Sequence, residues 1–454
     1  MAIFRRFSHP GFVIFCILIF NFFNGVEIEA IQGAQNGLPP VVIPPQGSPL
    51  GPPNGGVLPI VVPIFTLECP DPNPEGVDRF FGRAVTGGAD LNNDQKNEIG
   101  VGSLLWNKFY LFSGNDGSSL GDVQGETSDE FFGYSVDFLG DIDGDGVSDF
   151  IVGAPLYGER EGRIYVFSGA IDNDPFNLIY SISGEEPNFT FGSMVRGVGD
   201  IDGDNISDFI VVAPFDNVFP TPFENTAKLY AFSGATGDQL YRIEFETLGY
   251  FGLAIDQLGD VNQDGLSDFV VGIPYGTDER GRVLVINGNN GGTLFEQTGG
   301  IGEFFGISVS FVGDLNQDNI SDYMAGAPVA SNDRGVVSVF SGLSGSVLFT
   351  FEGENEGDYL GYGLASTMDR NRDGVRELLI GASGYDSGAL EDVGRVYVVS
   401  GKTGRYLSTD TGQDEFDVFG SYISDLGDIN GDGLGNFIIG SPYTNSDLGL
   451  AFVY

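Results

Sequence analysis

The stretch Asp141-Ile142-Asp143-Gly144-Asp145-Gly146-Val147-Ser148-Asp149 decides how this chain is read. Carboxylates stand at positions 1, 3, 5 and 9, and the Val147 carbonyl is available at position 7. Alternate residues on a tight loop bring their oxygens to one point, as a hard cation wanting six to eight oxygen ligands requires. Gly146 at position 6 suits the positive φ that folds such a loop back.

The same pattern occurs seven times, at intervals of 51 to 60 residues, a period long enough for one supersecondary unit per repeat. The third loop supplies Asp200, Asp202, Asp204, the Ile206 carbonyl and Asp208; the fourth, Asp260, Asn262, Asp264, the Leu266 carbonyl and Asp268. The fifth has Asp314, Asn316, Asp318, Ile320 and Asp322, and the sixth Asp369, Asn371, Asp373, Val375 and Glu377. The end loops depart from the pattern. The first holds Asp90, Asn92, Asp94 and Glu98 with Gln95 and Lys96 at positions 6 and 7; the seventh holds Asp428, Asn430, Asp432 and Leu434, with neutral Asn436 at position 9. Up to seven calcium ions are expected, held most weakly at these two loops.

An EF-hand would place a bidentate glutamate at position 12, where Val152 and Val271 stand. The flanks are β-branched runs without helical period, so the loops join strands. Asp-Gly-rich stretches also occur as ordinary solvated turns, but seven in phase favour metal loops.

Composition narrows the function classes. With 64 acidic residues against 20 basic, the chain repels nucleic acid and anionic membranes. Residues 1–30 read as a secretory signal, with Arg5 and Arg6 before an apolar core at 11–23. That core is too short to span a bilayer, and no later segment is long and apolar enough, so a secreted or cell-surface-associated chain is expected. Signal removal takes away His9, the only histidine, which excludes Ser-His-Asp and Cys-His chemistry in the mature chain. Cys69 is then alone and is expected to be a buried thiol. Residues 31–63, rich in Pro and Gly, form a semi-extended linker.

Each repeat carries four strand signals, in the second repeat at 134–139, 150–154, 163–167 and 178–183. Four antiparallel strands per unit, seven times over, predict an all-β fold, a seven-bladed β-propeller over residues 64–454 with a calcium-binding loop in each blade. Phe131-Phe132-Gly133 and its equivalents are expected to put aromatics into the interblade cores. The seventh repeat holds only three strand signals, the last at 450–454. The segment Ile64-Phe65-Thr66-Leu67-Glu68 is similar to the fourth-strand segments at 240–244 and 348–352, so it is expected to complete the last blade and close the ring.

Phe132-Gly133 with Gly153-Ala154-Pro155, and Phe305-Gly306 with Gly326-Ala327-Pro328, resemble the FG-GAP repeat of the integrin α-subunit N-terminal propeller. Variants are Val212-Ala213-Pro214, Gly272-Ile273-Pro274 and Gly440-Ser441-Pro442, while Gly381-Ala382-Ser383 and Gly102-Ser103-Leu104 lack the proline. The resemblance covers residues 64–454 and implies a calcium-binding, adhesion-type propeller. Integrin α chains continue into β-sandwich domains, a membrane helix and a tail, without counterpart here, and usually carry calcium loops in only some blades. A free-standing propeller that binds an extracellular protein or glycan without catalysis is the leading expectation. A lectin, or a polysaccharide lyase or hydrolase working without histidine, is the alternative. The long insertion at 215–227 offers Phe215, Phe219 and Phe223 as ligand contacts or as rim packing, and the polar segment 384–393 is a second candidate. Asn188, Asn205 and Asn319 fit the glycosylation pattern, the last two inside calcium loops.

Overall fold

The computed structural model describes residues 61–71, 80–171, 176–214, 226–247, 254–444 and 449–454. The signal, most of the linker and the three insertion phenylalanines lie outside these residues. Twenty-eight strands form seven four-stranded antiparallel sheets, and successive sheets pack side by side into a closed seven-bladed β-propeller. In the second blade the strands are Ser135–Gly140, Asp149–Ala154, Arg163–Phe167 and Leu178–Ser183, within one residue of the sequence expectation.

Burial follows position in the blade. The second strand is covered on both faces by neighbouring blades, so every residue of Asp149–Ala154 and of Asp268–Ile273 is buried. That explains continuous apolar runs where a half-exposed strand would alternate. The outer strand Leu178–Ser183 instead mixes exposed and half-buried residues and has no fully buried one. One interblade core joins Phe109 and Leu111 of blade 1 to Phe132, Phe150, Val152 and Tyr165 of blade 2. Phe109 and Phe150 stand 5.2 Å apart by ring centroid across that boundary, and Phe132 meets Tyr165 edge-on at 5.3 Å. Such aromatic pairs contribute roughly 0.5–1.5 kcal/mol beyond their buried area.

The Phe-Gly and Gly-Ala-Pro halves of the repeat have a common mechanical purpose. Within a blade, the amide of Gly133 donates to the Gly153 carbonyl at 3.1 Å, and Gly306 donates to Gly326 at 2.8 Å. Between blades, a Cβ on Gly153 would lie 2.1 Å from the carbonyl oxygen of Gly192, the Phe-Gly glycine of the next blade. Gly326 meets Gly361 at 2.0 Å and Gly381 meets Gly420 at 2.0 Å in the same sense. In six blades the motif is therefore a backbone-to-backbone contact that leaves no room for a side chain, while blade 3 has buried Val212 at the same position.

Ring closure occurs as the sequence implied. Phe65–Glu68 pairs antiparallel with Leu450–Val453, in the register Phe65 opposite Val453 and Glu68 opposite Leu450. The last sheet thus takes one strand from one end of the ring and three from the other. A Cβ on Gly440 would lie 1.9 Å from the Gly82 carbonyl of blade 1, so the glycine contact also crosses the seam. Residue Val61, inside the expected linker, already donates its amide to the Thr409 carbonyl at 3.2 Å.

Candidate metal loops and the opposite face of the ring

All seven acidic loops connect the innermost strand of a blade to the second, and all share one hydrogen-bonding scheme. A bulge precedes the loop in six blades, as between Phe138 and Gly140 in blade 2. In the second loop, Asp141 Oδ1 accepts from the amides of Gly144 and Asp145, and its Oδ2 accepts from Gly146 at 2.9 Å. Asp143 accepts from the Asp145 amide at 3.0 Å, and Asp145 from Val147 at 2.8 Å. The Asp90, Asp200, Asp260, Asp314, Asp369 and Asp428 carboxylates likewise accept from their position-6 amides, at 2.7 to 2.9 Å.

Two positions take left-handed backbone in every loop. Position 6 is Gly146 at φ 91° in the second loop, and Gln95, Asn205 and Asn319 adopt 69°, 67° and 68° in theirs. Asparagine tolerates that region, which accounts for Asn205 and Asn319 without any glycan. Position 4 is also left-handed, including Asn93 at 59° and Arg372 at 62°, a requirement the sequence reading did not identify.

Position 9 is the buried end of each loop. Asp149, Asp208, Asp268, Asp322, Glu98 and Glu377 have no exposed surface, and Asn436 is nearly as buried. Each accepts from the position-2 amide, as Asp149 does from Ile142 at 2.8 Å and Asn436 from Ile429 at 2.9 Å. In four blades the other oxygen accepts from a glycine after the third strand, Gly169, Gly234, Gly288 or Gly342. This residue therefore pins the loop to the blade. Burial, added to by neighbouring loop carboxylates, pushes Asp149, Asp208 and Asp322 up to about 6 and Glu98 and Glu377 up to about 7.

The donor set fits a hard divalent cation. Carboxylate oxygens converge to within 4.8 Å of one another at Asp90, Asp94 and Glu98, at Asp141, Asp143 and Asp149, and at Asp200, Asp202 and Asp208. Glu377 Oε1 is buried without a partner, a position an ion would satisfy. The first loop, expected to be weak, is thus not set apart by its geometry.

A central channel runs through the ring, lined by the innermost strands. Its mouth on the side of the acidic loops is a polar cavity of about 590 Å³. There Arg196 of blade 3 reaches Asp137 of blade 2 at 3.4 Å and Asp256 of blade 4 at 2.7 Å, and Arg376 reaches Asp425 at 2.6 Å. Thr86, Asp137, Arg196, Asp256 and Ser310 all stand five residues after the phenylalanine of their Phe-Gly pairs. Aligning repeats on that pair would have revealed this cross-blade network.

The other mouth, about 420 Å³, is lined by Arg83, Tyr134, Tyr362 and Tyr422, with Pro155, Leu156 and Pro214 at the ends of second strands. Pro214, the last described residue before Phe215, lines this mouth; Phe215, Phe219 and Phe223 themselves lie outside the described residues. The polar segment 384–393 also follows a second strand, Glu377–Ala382, and is largely exposed from Asp386 to Glu391. Acidic loops and candidate ligand segments therefore leave opposite ends of the strands.

Comparison with known proteins places this architecture. The FG-GAP repeat family matches residues 132–167 and 251–286. Integrin alpha-5 of Xenopus laevis is 34% identical over 166 residues, covering 33% of this chain and 15% of that protein. Integrin alpha-V of Gallus gallus is 35% identical over 158 residues, again 33% of this chain and 15% of the relative. Integrin alpha-IIb of Homo sapiens is 29% identical over 249 residues, half of this chain and 22% of its own length. The chain thus spans about a fifth or less of these relatives. Among solved structures, Saccharomyces cerevisiae Sqt1 aligns with a TM-score of 0.49 at 13% identity, covering 86% of this chain and 98% of that one. Repeat pattern, blade geometry and sequence similarity thus agree: the chain carries FG-GAP repeats at 132–167 and 251–286 and resembles the integrin α-subunit propeller.

Proposed function

We propose that this chain is a calcium-stabilised, non-enzymatic binding module of the adhesion type, acting outside the cell on a protein or glycan. The supporting observation is the separation of tasks between the two ends of the ring. Carboxylates on one side are committed to shaping loops around a hard-cation site, whereas the tyrosine-lined cavity and Pro214, which precedes the long insertion in sequence, stand on the other. In this reading residues 1–30 direct export, 31–63 act as a tether, and calcium occupies the loops through the ligand positions named above. Phe215, Phe219 and Phe223 supply the apolar contacts of the ligand face. Similarity to integrin α subunits supports adhesion as the class of activity.

Sites of this type bind calcium with dissociation constants of ~0.1–1 mM, so each ion bound only by the native state adds up to a few kcal/mol at large excess. The test compares Asp143→Ala/Asp145→Ala with Phe219→Ala/Phe223→Ala, measuring melting in calcium and capture of extracellular protein and glycan arrays. The loop variant is expected to melt lower yet keep its ligand while folded; the insertion variant should melt as the parent does and lose capture. A folded loop variant without any capture would instead put the metal in the recognition site.

A further inference from the structure

Arg83 immediately follows Phe81-Gly82 and is the third residue of Phe81–Ala89, the innermost strand of blade 1, at the tyrosine-lined mouth. Its guanidinium carbon lies 4.3 Å from the ring centroid of Tyr134 in blade 2 and 5.1 Å from that of Tyr422 in blade 7. The rings attract the cation to their faces, but they do not satisfy its five N–H donors, which need oxygens. Among the described residues no carboxylate pairs with Arg83, whereas at the opposite mouth Arg196 holds two and Arg376 one. The Tyr422 hydroxyl beside it is buried and also has no partner. A guanidinium with no carboxylate partner among the described residues and an unpartnered hydroxyl thus face one cavity of about 420 Å³, a volume within the range of small-ligand sites. The remaining wall includes apolar Leu156, Met194 and Ile307.

The geometry points to a carboxylate-binding site at this mouth, taking a ligand whose carboxylate is joined to an apolar body. The planar fork of Arg83 presents paired N–H groups to the two carboxylate oxygens, and the Tyr422 hydroxyl donates to one of them. A monoanion fits better than a phosphate or sulfated chain, because a protein of net charge −44 repels multiply charged ligands more strongly. This assignment rests on the reading of the same face as the ligand face, and it names the chemistry recognised there.

Peptide and sugar sources of the carboxylate are separated by the probes. Thermal shift and calorimetry in calcium would use N-acetylphenylalanine against its amide, and methyl glucuronoside against methyl glucoside. One carboxylate is expected to raise the melting temperature of the parent protein while its neutral counterpart does not. Arg83→Met should weaken that binding at least tenfold and melt close to the parent without ligand, since it removes a half-buried cation that has no carboxylate partner among the described residues. Arg83→Lys, which keeps the charge without the fork, should bind at an intermediate level. Equal shifts from acid and neutral probe, equal binding by Arg83→Met, or silence of both acids would overturn the assignment. Should Arg83→Met fail to fold, Tyr422→Phe carries the test, and carboxylate binding unchanged in it would overturn the assignment too. A protein or glycan captured on this face with no dependence on a carboxylate would remove this inference and leave the broader binding function standing.

Discussion

At the scale of single residues, the buried position-9 acids make the pH response depend on metal. Their folded values of about 6 to 7 exceed the unfolded range of about 4, so without metal the native state holds extra protons between roughly pH 4 and 7. Stability then falls as pH rises through that window. A bound cation holds the same carboxylates ionised and reverses the dependence. In chelator, the melting temperature should therefore rise from pH 7.5 to 5.5; in millimolar calcium it should stay level or fall. Parallel curves in the two conditions would show that these acids do not face the ion. Glycine supplies a second case. Gly153→Ala forces a Cβ against the Gly192 carbonyl and should cost about 1–3 kcal/mol or more, measured by denaturant titration. Gly144→Ala meets open space at φ 82° and should cost only about 1 kcal/mol. The loop ligands were legible because each repeat spells them out in one short stretch. Arg83 was not, since its partners Tyr134 and Tyr422 come from blades that lie far apart in sequence, and nothing local marks an arginine as lacking a carboxylate.

At the scale of elements, strand positions were readable to within a residue, because turn clusters and apolar runs alternate in step with the loops. Even the closing strand could be read from its likeness to other fourth strands. Bulges and left-handed position 4 were hidden, as Asn93, Gln263 and Arg372 carry no sequence sign that tertiary context has imposed φ near 60°. The closing strand invites a deletion experiment. Removing residues 65–68 takes away the ladder to Leu450–Val453 and uncovers a strand edge, whereas removing 32–56 touches no described hydrogen bond. The first deletion should lower the melting temperature by many degrees or promote aggregation, and the second should leave it unchanged. Equal melting of the two truncated chains would contradict the closure. Arg196 belongs here too, since it ties three blades through Asp137 and Asp256. Replacing it with Met leaves two channel carboxylates facing each other and should cost about 2 kcal/mol.

For the whole molecule, the excess of acid is the governing quantity. Divalent ions in the loops would offset part of the net charge of −44, and without them the ring repels itself. Raising sodium chloride from 0.05 to 0.5 M, across which the screening length falls from roughly 14 to 4 Å, should raise the melting temperature clearly in chelator and only slightly in calcium. An equal salt response in both would mean that the loops do not hold the neutralising ions. Closure of the ring by residues 65–68 also sets a clock on biosynthesis. Leu450–Val453 emerges from the ribosome some 385 residues after its partner strand, an interval on the order of 20 to 80 seconds at ~5–20 residues per second. Throughout that interval the first six blades can assemble, but blade 7 has only its outer strand, its three inner strands are made last, and the seam stays open. Nascent chains crowded on one message would then be able to lend each other the waiting segment, so translation speed and chaperone cover, rather than the final stability, decide how many monomeric rings are delivered.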